Sequence, residues 1–238
     1  VAAEDAGILL ALTRDEPLIV RLYLPLNAAS GMLRFKIYNT SKVALSDSLP
    51  LLENMGARVL DEHPYDIGSD SLWIHDIGLQ VPAGTELSAI KQRFESLFVQ
   101  VWHGEVESDQ LNQLVLASAL DARQISVLRA YTRYFKQLGF AFSQTYIEDA
   151  LIRHAGIAQD IIALFQARFD PQLQGDREAL QAQLQQQLED SLSAVASLDD
   201  DRILRQFFAS IRATARTNAW QLQRPGAHKP YLSLKLKP

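Results

Sequence analysis

Four strings between residues 32 and 79 decide the fold: MLRFKIYN (32–39), LSDSLPLLENMG (45–56), ARVLDEHPYDI (57–67) and SLWIHDIGL (71–79). In the first, Leu33, Phe35 and Ile37 alternate with Arg34 and Lys36, the period of a half-buried strand. In the second, Leu49, Leu52 and Met55 form a helical stripe. Ser46 or Ser48 offers an N-cap, Pro50 suits a first turn, and Gly56 suits a left-handed stop. The last two strings read as strands over 59–67 and 72–79, joined by a Gly-Ser-Asp turn.

Upstream, LIVRLYL (18–24) is rich in β-branched and aromatic residues and is closed by Pro25. It reads as a strand in a hairpin with 32–38, and residues 1–12 read as a weak helix. Downstream, Leu87, Ile90, Phe94, Leu97, Phe98 and Val101 predict an amphipathic helix over 86–102. The order β-β-α-β-β-α implies an α+β fold, an antiparallel sheet with helices on one face, close to a ferredoxin-like unit.

From Ser108 the period is helical throughout, with helices expected at 108–119, 123–138, 144–154, 157–168, 176–196 and 199–217. Ser143 and Asp199 are expected N-caps. Leu180, Leu184, Leu188 and Leu192 face Ile203, Leu204, Phe207, Phe208 and Ile211 across a short turn, predicting an antiparallel hairpin of the last two helices. After Asn218 strand character returns at 219–222 and 231–236, with no sheet nearby to join. Both ends look cut from a longer chain, which begins with Val and stops at Pro238. The expected division is an α+β domain (1–107), an all-α domain (108–217) and the start of a further domain (218–238).

Composition narrows the function classes. The chain has 238 residues, 47% hydrophobic and 21% charged, without an apolar run long enough to span a membrane. Zero cysteines exclude disulfides and thiolate metal sites and fit a cytoplasmic location. The net charge of −5 divides unevenly: residues 1–107 carry 8 basic and 15 acidic side chains, residues 108–238 carry 15 and 13. Neither half is basic enough for a nucleic-acid-binding domain.

The strings LRFKIYN, LSDSLPLLENMGARVLDEHPY and WIHDIGL resemble the last ACT-like domain of the large-type bacterial NAD-dependent glutamate dehydrogenases. VLRAYTRYFKQLGFAFSQTYIEDAL (127–151), LFQARFDP (164–171) and DDDRILRQF (199–207) resemble the helical segment that follows it. RTNAWQ (216–221) and KPYLSLKL (229–236) resemble the entry to the catalytic domain. The resemblance implies a parent enzyme that converts L-glutamate to 2-oxoglutarate and ammonia with NAD. Its substrate motifs and nicotinamide-binding fold belong further downstream, so no catalytic, cofactor-binding or metal residue is expected in this chain. It also implies partners: the rest of the parent chain, its other subunits and an amino-acid effector. Autonomous amino-acid sensing and a helical adaptor role are the alternatives.

Three constellations are candidates for chemistry. A hairpin turning about Ser69 would set His63 opposite His75, near Asp61, Glu62 and Asp76, where a divalent metal could bind. A one-residue slip would part the two histidines, and local hydrogen bonding is the simpler reading. Arg202, Arg205, Arg212 and Arg216 would form a basic stripe on the last helix, although the negative whole-chain charge argues for docking or solvation instead. The loop 39–42 precedes a helix N-terminus, where an effector could meet backbone N–H groups, yet it has no glycine to let a ligand approach.

Overall fold

A computed structural model describes residues 2–12, 17–26, 28–68, 72–224 and 227–237. It forms two compact units, Val1–Ala122 and Arg123–Pro238. The expected turn at Ser69 lies outside the described residues.

The first unit contains α1 (Ala2–Ala11), β1 (Leu18–Tyr23), β2 (Met32–Asn39), α2 (Leu45–Asn54), β3 (Arg58–Ile67), β4 (Leu72–Gln80) and α3 (Leu87–Trp102). A 3-10 turn (Gln110–Gln113) and the short α4 (Leu114–Ala117) stand where one helix over 108–119 was expected. All strand pairings are antiparallel, in the order β1-β2-β4-β3. Moving β1 from the start to the end turns β-β-α-β-β-α into the ferredoxin-like β-α-β-β-α-β. The sheet is thus complete, with its last strand supplied first.

Register fixes the two faces. Phe35 lies opposite Leu22 and Ile77, and Ile37 opposite Val20 and His75. This inner face meets α3 edge-on, with the Phe35 ring 4.8 Å from Phe98 and 5.6 Å from Phe94. The outer face carries Tyr23, Arg34, Lys36, Tyr38 and Asp76, and α1 lies on it through Asp5. Strand β2 is therefore covered on both sides, and the expectation of a half-buried strand is corrected: Lys36 is only 6% exposed.

Helix α2 starts earlier than its serines suggest. Ala44 is the N-cap and makes no side-chain cap, so Ser46, Ser48 and Pro50 all lie inside the helix. Gly56 (φ +83°) ends it as expected, donating to the Glu53 carbonyl at 2.9 Å while Ala57 reaches back to Leu52 at 3.1 Å.

The second unit contains α5 (Ala122–Gln137, its first residue shared with the boundary), α6 (Gln144–Arg153), α7 (Ala155–Phe169), α8 (Arg177–Ser193) and α9 (Leu198–Ala213). These match five expected helices within a few residues. Ser143 caps α6 as expected, but α9 is capped by Ser197 instead of Asp199, its hydroxyl accepting from the Asp200 N–H. Helix α8 packs on α9 and more extensively on α7. The core gathers Tyr131, Phe135, Phe165 and Phe207, with the Phe135 and Phe207 rings 4.7 Å apart.

Four short strands close this unit: β5 (Thr214–Thr217), β6 (Leu222–Arg224), β7 (Ala227–His228) and β8 (Leu234–Leu236). The last expected helix thus stops at Ala213 and the chain turns directly into β5. Strand β5 pairs with β8, and β6 pairs with β7. The expectation that the terminal strand finds no partner in this chain is overturned. The partner is the segment 214–217, whose residues had been assigned to a helix.

Candidate functional site

The β3–β4 register answers the histidine question. His63 lies opposite Asp76, and His75 lies opposite Pro64. Side chains alternate between faces, so His63 belongs to the outer face and His75 to the inner one. The proposed His63–His75 pairing is corrected by one residue, and the two-histidine metal reading loses its geometry. Among the described residues no group of three or more metal-ligating side chains converges.

His75 instead fastens a loop. It is 1% exposed, and its Nε2 accepts the Val43 N–H at 3.1 Å. Its Nδ1 lies 2.6 Å from Glu62 Oε1. A ring nitrogen that accepts an N–H is unprotonated, so this network assigns the proton to Nδ1, donated to the carboxylate. The rest of the loop between β2 and α2 is similarly occupied. Thr40 N–H donates to the Pro17 carbonyl at 3.2 Å, Ser41 N–H to Asn39 Oδ1 at 3.3 Å, and Lys42 Nζ lies 5.4 Å from the Trp73 ring centroid. Three N–H groups that a ligand would need are already engaged.

The outer face holds a dense polar network. Asp76 accepts from Tyr23 Oη at 2.9 Å and from Arg34 Nε at 2.7 Å, while Arg34 Nη2 reaches Asp61 at 3.1 Å. Gly78 leaves the space that the Asp61 carboxylate fills: a Cβ there would sit 2.7 Å from Asp61 Oδ2. Burial, reinforced by the Asp76 charge and hydrogen bond, pushes the Tyr23 hydroxyl up to about 12. Burial would lower the Arg34 pKa, but its two carboxylate partners outweigh it and raise it.

One strand position away, Asp5 of α1 accepts from Lys36 Nζ at 2.7 and 2.9 Å and from Tyr38 Oη at 2.6 Å. Burial would raise the Asp5 pKa, but the hydrogen bonds from Lys36 and Tyr38 and the Lys36 charge hold it below the ordinary carboxylate value. Tyr38 is pushed far up, by burial first and then by Asp5.

In the second unit Asp200, 4% exposed at the start of α9, forms a polar clasp. It accepts from Arg153 Nη2 at 2.8 Å and Nε at 3.2 Å, and lies 3.0 Å from His154 Nε2. The Arg153 hydrogen bonds lower its pKa, burial opposes them, and His154 adds to the lowering. The expected arginine stripe does not form. Arg205 pairs with Asp201 at 2.7 Å, the Arg212 guanidinium covers the Phe208 ring, and Arg216 sits on β5 instead of the helix.

Neither Asp5 nor Asp200 was singled out by sequence reasoning. Asp200 carried a readable signal: it lies three, four and seven residues before Ile203, Leu204 and Phe207, in phase with the buried stripe. For Asp5 no comparable signal exists.

Fold and sites together define a ferredoxin-like α+β unit of the ACT kind followed by a helical unit. Comparison with known proteins agrees along the whole chain. The profile "Glutamate dehydrogenase, ACT3 domain" matches residues 17–91, "Glutamate dehydrogenase, helical motif 3" matches 106–171, and "Bacterial NAD-glutamate dehydrogenase, catalytic domain" matches 187–238. Among curated relatives, the NAD-specific glutamate dehydrogenase of Halomonas elongata is 37% identical over 235 residues, covering 95% of this chain and 14% of that protein. That of Pseudomonas aeruginosa is 37% identical over 246 residues, covering 100% and 15%. That of Mycobacterium tuberculosis is 33% identical over 248 residues, covering 99% and 15%. The chain belongs to the bacterial NAD-dependent glutamate dehydrogenase family, and it spans 14–15% of the length of these relatives.

Proposed function

We propose that this chain is a non-catalytic regulatory and assembly segment of an NAD-dependent glutamate dehydrogenase. The parent reaction is the oxidative deamination of L-glutamate to 2-oxoglutarate and ammonia, with NAD bound outside this segment. The observation that carries the reading is the collinear order of matches: ACT3 domain, helical motif, then catalytic-domain similarity from residue 187. In this reading residues 1–107 act as the ACT-like domain, 108–217 as the helical connector and 218–238 as an entry to the catalytic part. Its partners are the rest of the parent chain, neighbouring subunits and an amino-acid effector, in the cytoplasm and without nucleic acid or membrane. Among the described residues no helix is long and apolar enough to cross a membrane.

The engaged N–H groups of Thr40, Ser41 and Val43 argue against an effector site at the loop between β2 and α2. Two measurements test the proposal. The 238-residue chain is expected to form no NADH from L-glutamate and NAD; turnover would place the active site inside it. Replacing residues 17–91 of the parent enzyme by a flexible linker is expected to change its subunit mass in light scattering or abolish its response to amino acids. A linker variant that keeps both the native mass and the response overturns the proposal.

A further inference from the structure

The contact between α1 and the sheet is lopsided. Lys36 and Tyr38 are buried, yet no described side chain of α1 is fully buried, and Leu10 is 87% exposed. The helix has 10 residues, below the roughly 12–15 at which isolated helices become stable in water. It also carries Gly7, which faces open space, and an interior glycine weakens a helix relative to alanine. Among the described residues, its polar hold on the sheet is the Asp5 carboxylate, beside the half-buried Ile8 and Leu9. On the floor, every feature of a carboxylate receptor is present. An ammonium donates to both carboxylate oxygens, a phenol hydroxyl donates to one of them, and the Tyr23 ring lies 5.4 Å from the ammonium. Asp76, opposite Lys36 in register, is taken by Tyr23 and Arg34. Lifting α1 would thus uncover an ammonium and a phenol hydroxyl that already converge on a carboxylate position and have lost their partner.

We propose that Lys36 and Tyr38 form a binding position for the carboxylate of a small organic acid or amino acid, which Asp5 fills in cis, making α1 a displaceable lid. The inference rests on the geometry of the outer face and is independent of the proposed role in glutamate dehydrogenase. A tethered carboxylate competes at an effective concentration in the millimolar range, so the site takes up free ligand weakly while Asp5 is in place.

The test uses the 238-residue chain and two probes, succinate and L-glutamate. Calorimetric titration of Asp5→Ala is expected to show carboxylate binding at least about tenfold tighter than in the unmodified chain. Adding Lys36→Met, which keeps the buried stem but removes the ammonium, is expected to abolish it. A second removal, Lys36→Gln, guards against a misfolded double variant, and each must match the Asp5→Ala circular dichroism spectrum. In the unmodified chain, saturating succinate is expected to accelerate amide exchange across residues 2–11. Succinate and L-glutamate binding alike supports recognition of the carboxylate itself; L-glutamate alone binding supports a site that also reads the amino group. Unchanged affinity in Asp5→Ala, binding that survives both Lys36 substitutions, or binding without faster exchange in α1 overturns the proposal.

Discussion

Replacing Asp200 by asparagine keeps the shape of the clasp and removes its charge. The carboxylate is almost fully buried and makes two hydrogen bonds to Arg153 and one to His154. Hydrogen bonds to charged groups contribute about 1.5–3 kcal/mol each when both partners are buried. Here the Arg153 side chain is 46% exposed, so solvent recovers much of what it loses, and a total near 2 kcal/mol is expected. The pH dependence is the sharper test. The Asp200 pKa is lowered in the folded protein, so the unfolded state takes up the proton first. The contribution is full above the unfolded value of about 3.9 and is lost as the pH falls through the folded value. The gap between the unmodified chain and Asp200→Asn should be widest at pH 7 and narrow steadily below about pH 4. Urea titration followed by Trp220, which stacks on Phe165 in the same unit, reads the relevant transition once Trp73 and Trp102 are phenylalanine. An equal gap at pH 7 and pH 3.5 would refute the reasoning, because the loss would then come from shape and not from charge.

His75→Ala should destabilise the first unit by about 2–3 kcal/mol, since it strands the buried Val43 N–H and the Glu62 carboxylate together. Amide exchange should show the loss concentrated at 39–45, and uniform loosening of the whole sheet would count against a loop-fastening role. Ala119 has φ +50°, a left-handed conformation that glycine adopts without penalty. Ala119→Gly should therefore stabilise the first unit by about 0.5–1 kcal/mol, and a lower denaturation midpoint would contradict it.

Much of the sheet was legible because apolar alternation and helical spacing are local properties. Leu33, Phe35 and Ile37 announced the inner face, and Phe94, Leu97 and Phe98 announced the helix that covers it. The outer face was not legible. Arg34 and Lys36 look solvated in any window of sequence, yet Arg34 is held by Asp61 and Asp76 and Lys36 by the distant Asp5. The hairpin register failed for a similar reason, since pairing Ile67 with Leu72 instead of turning about one central residue moves His63 from His75 to Asp76. Residues 214–217 continue the helical pattern of Ile211, and only pairing with 234–236 draws them into a strand. Local propensity gave way there to a partner almost twenty residues on. In the second unit, Asp200 hid within a run of three aspartates of which it alone is turned inward.

Supplying the edge strand first changes how the sheet can assemble in time. With β1 ahead of β2, the outermost pairing joins Tyr23 to Arg34 across one short connection, and it closes as a local hairpin. In the unpermuted order the same edge would have to return after α3, once the other strands had been made. Loop-closure entropy and folding time both grow with the sequence separation of contacts. The permuted chain has its β1–β2 ribbon complete by Asn39, before α2 and α3 leave the ribosome, and β4 then adds to a template already in place.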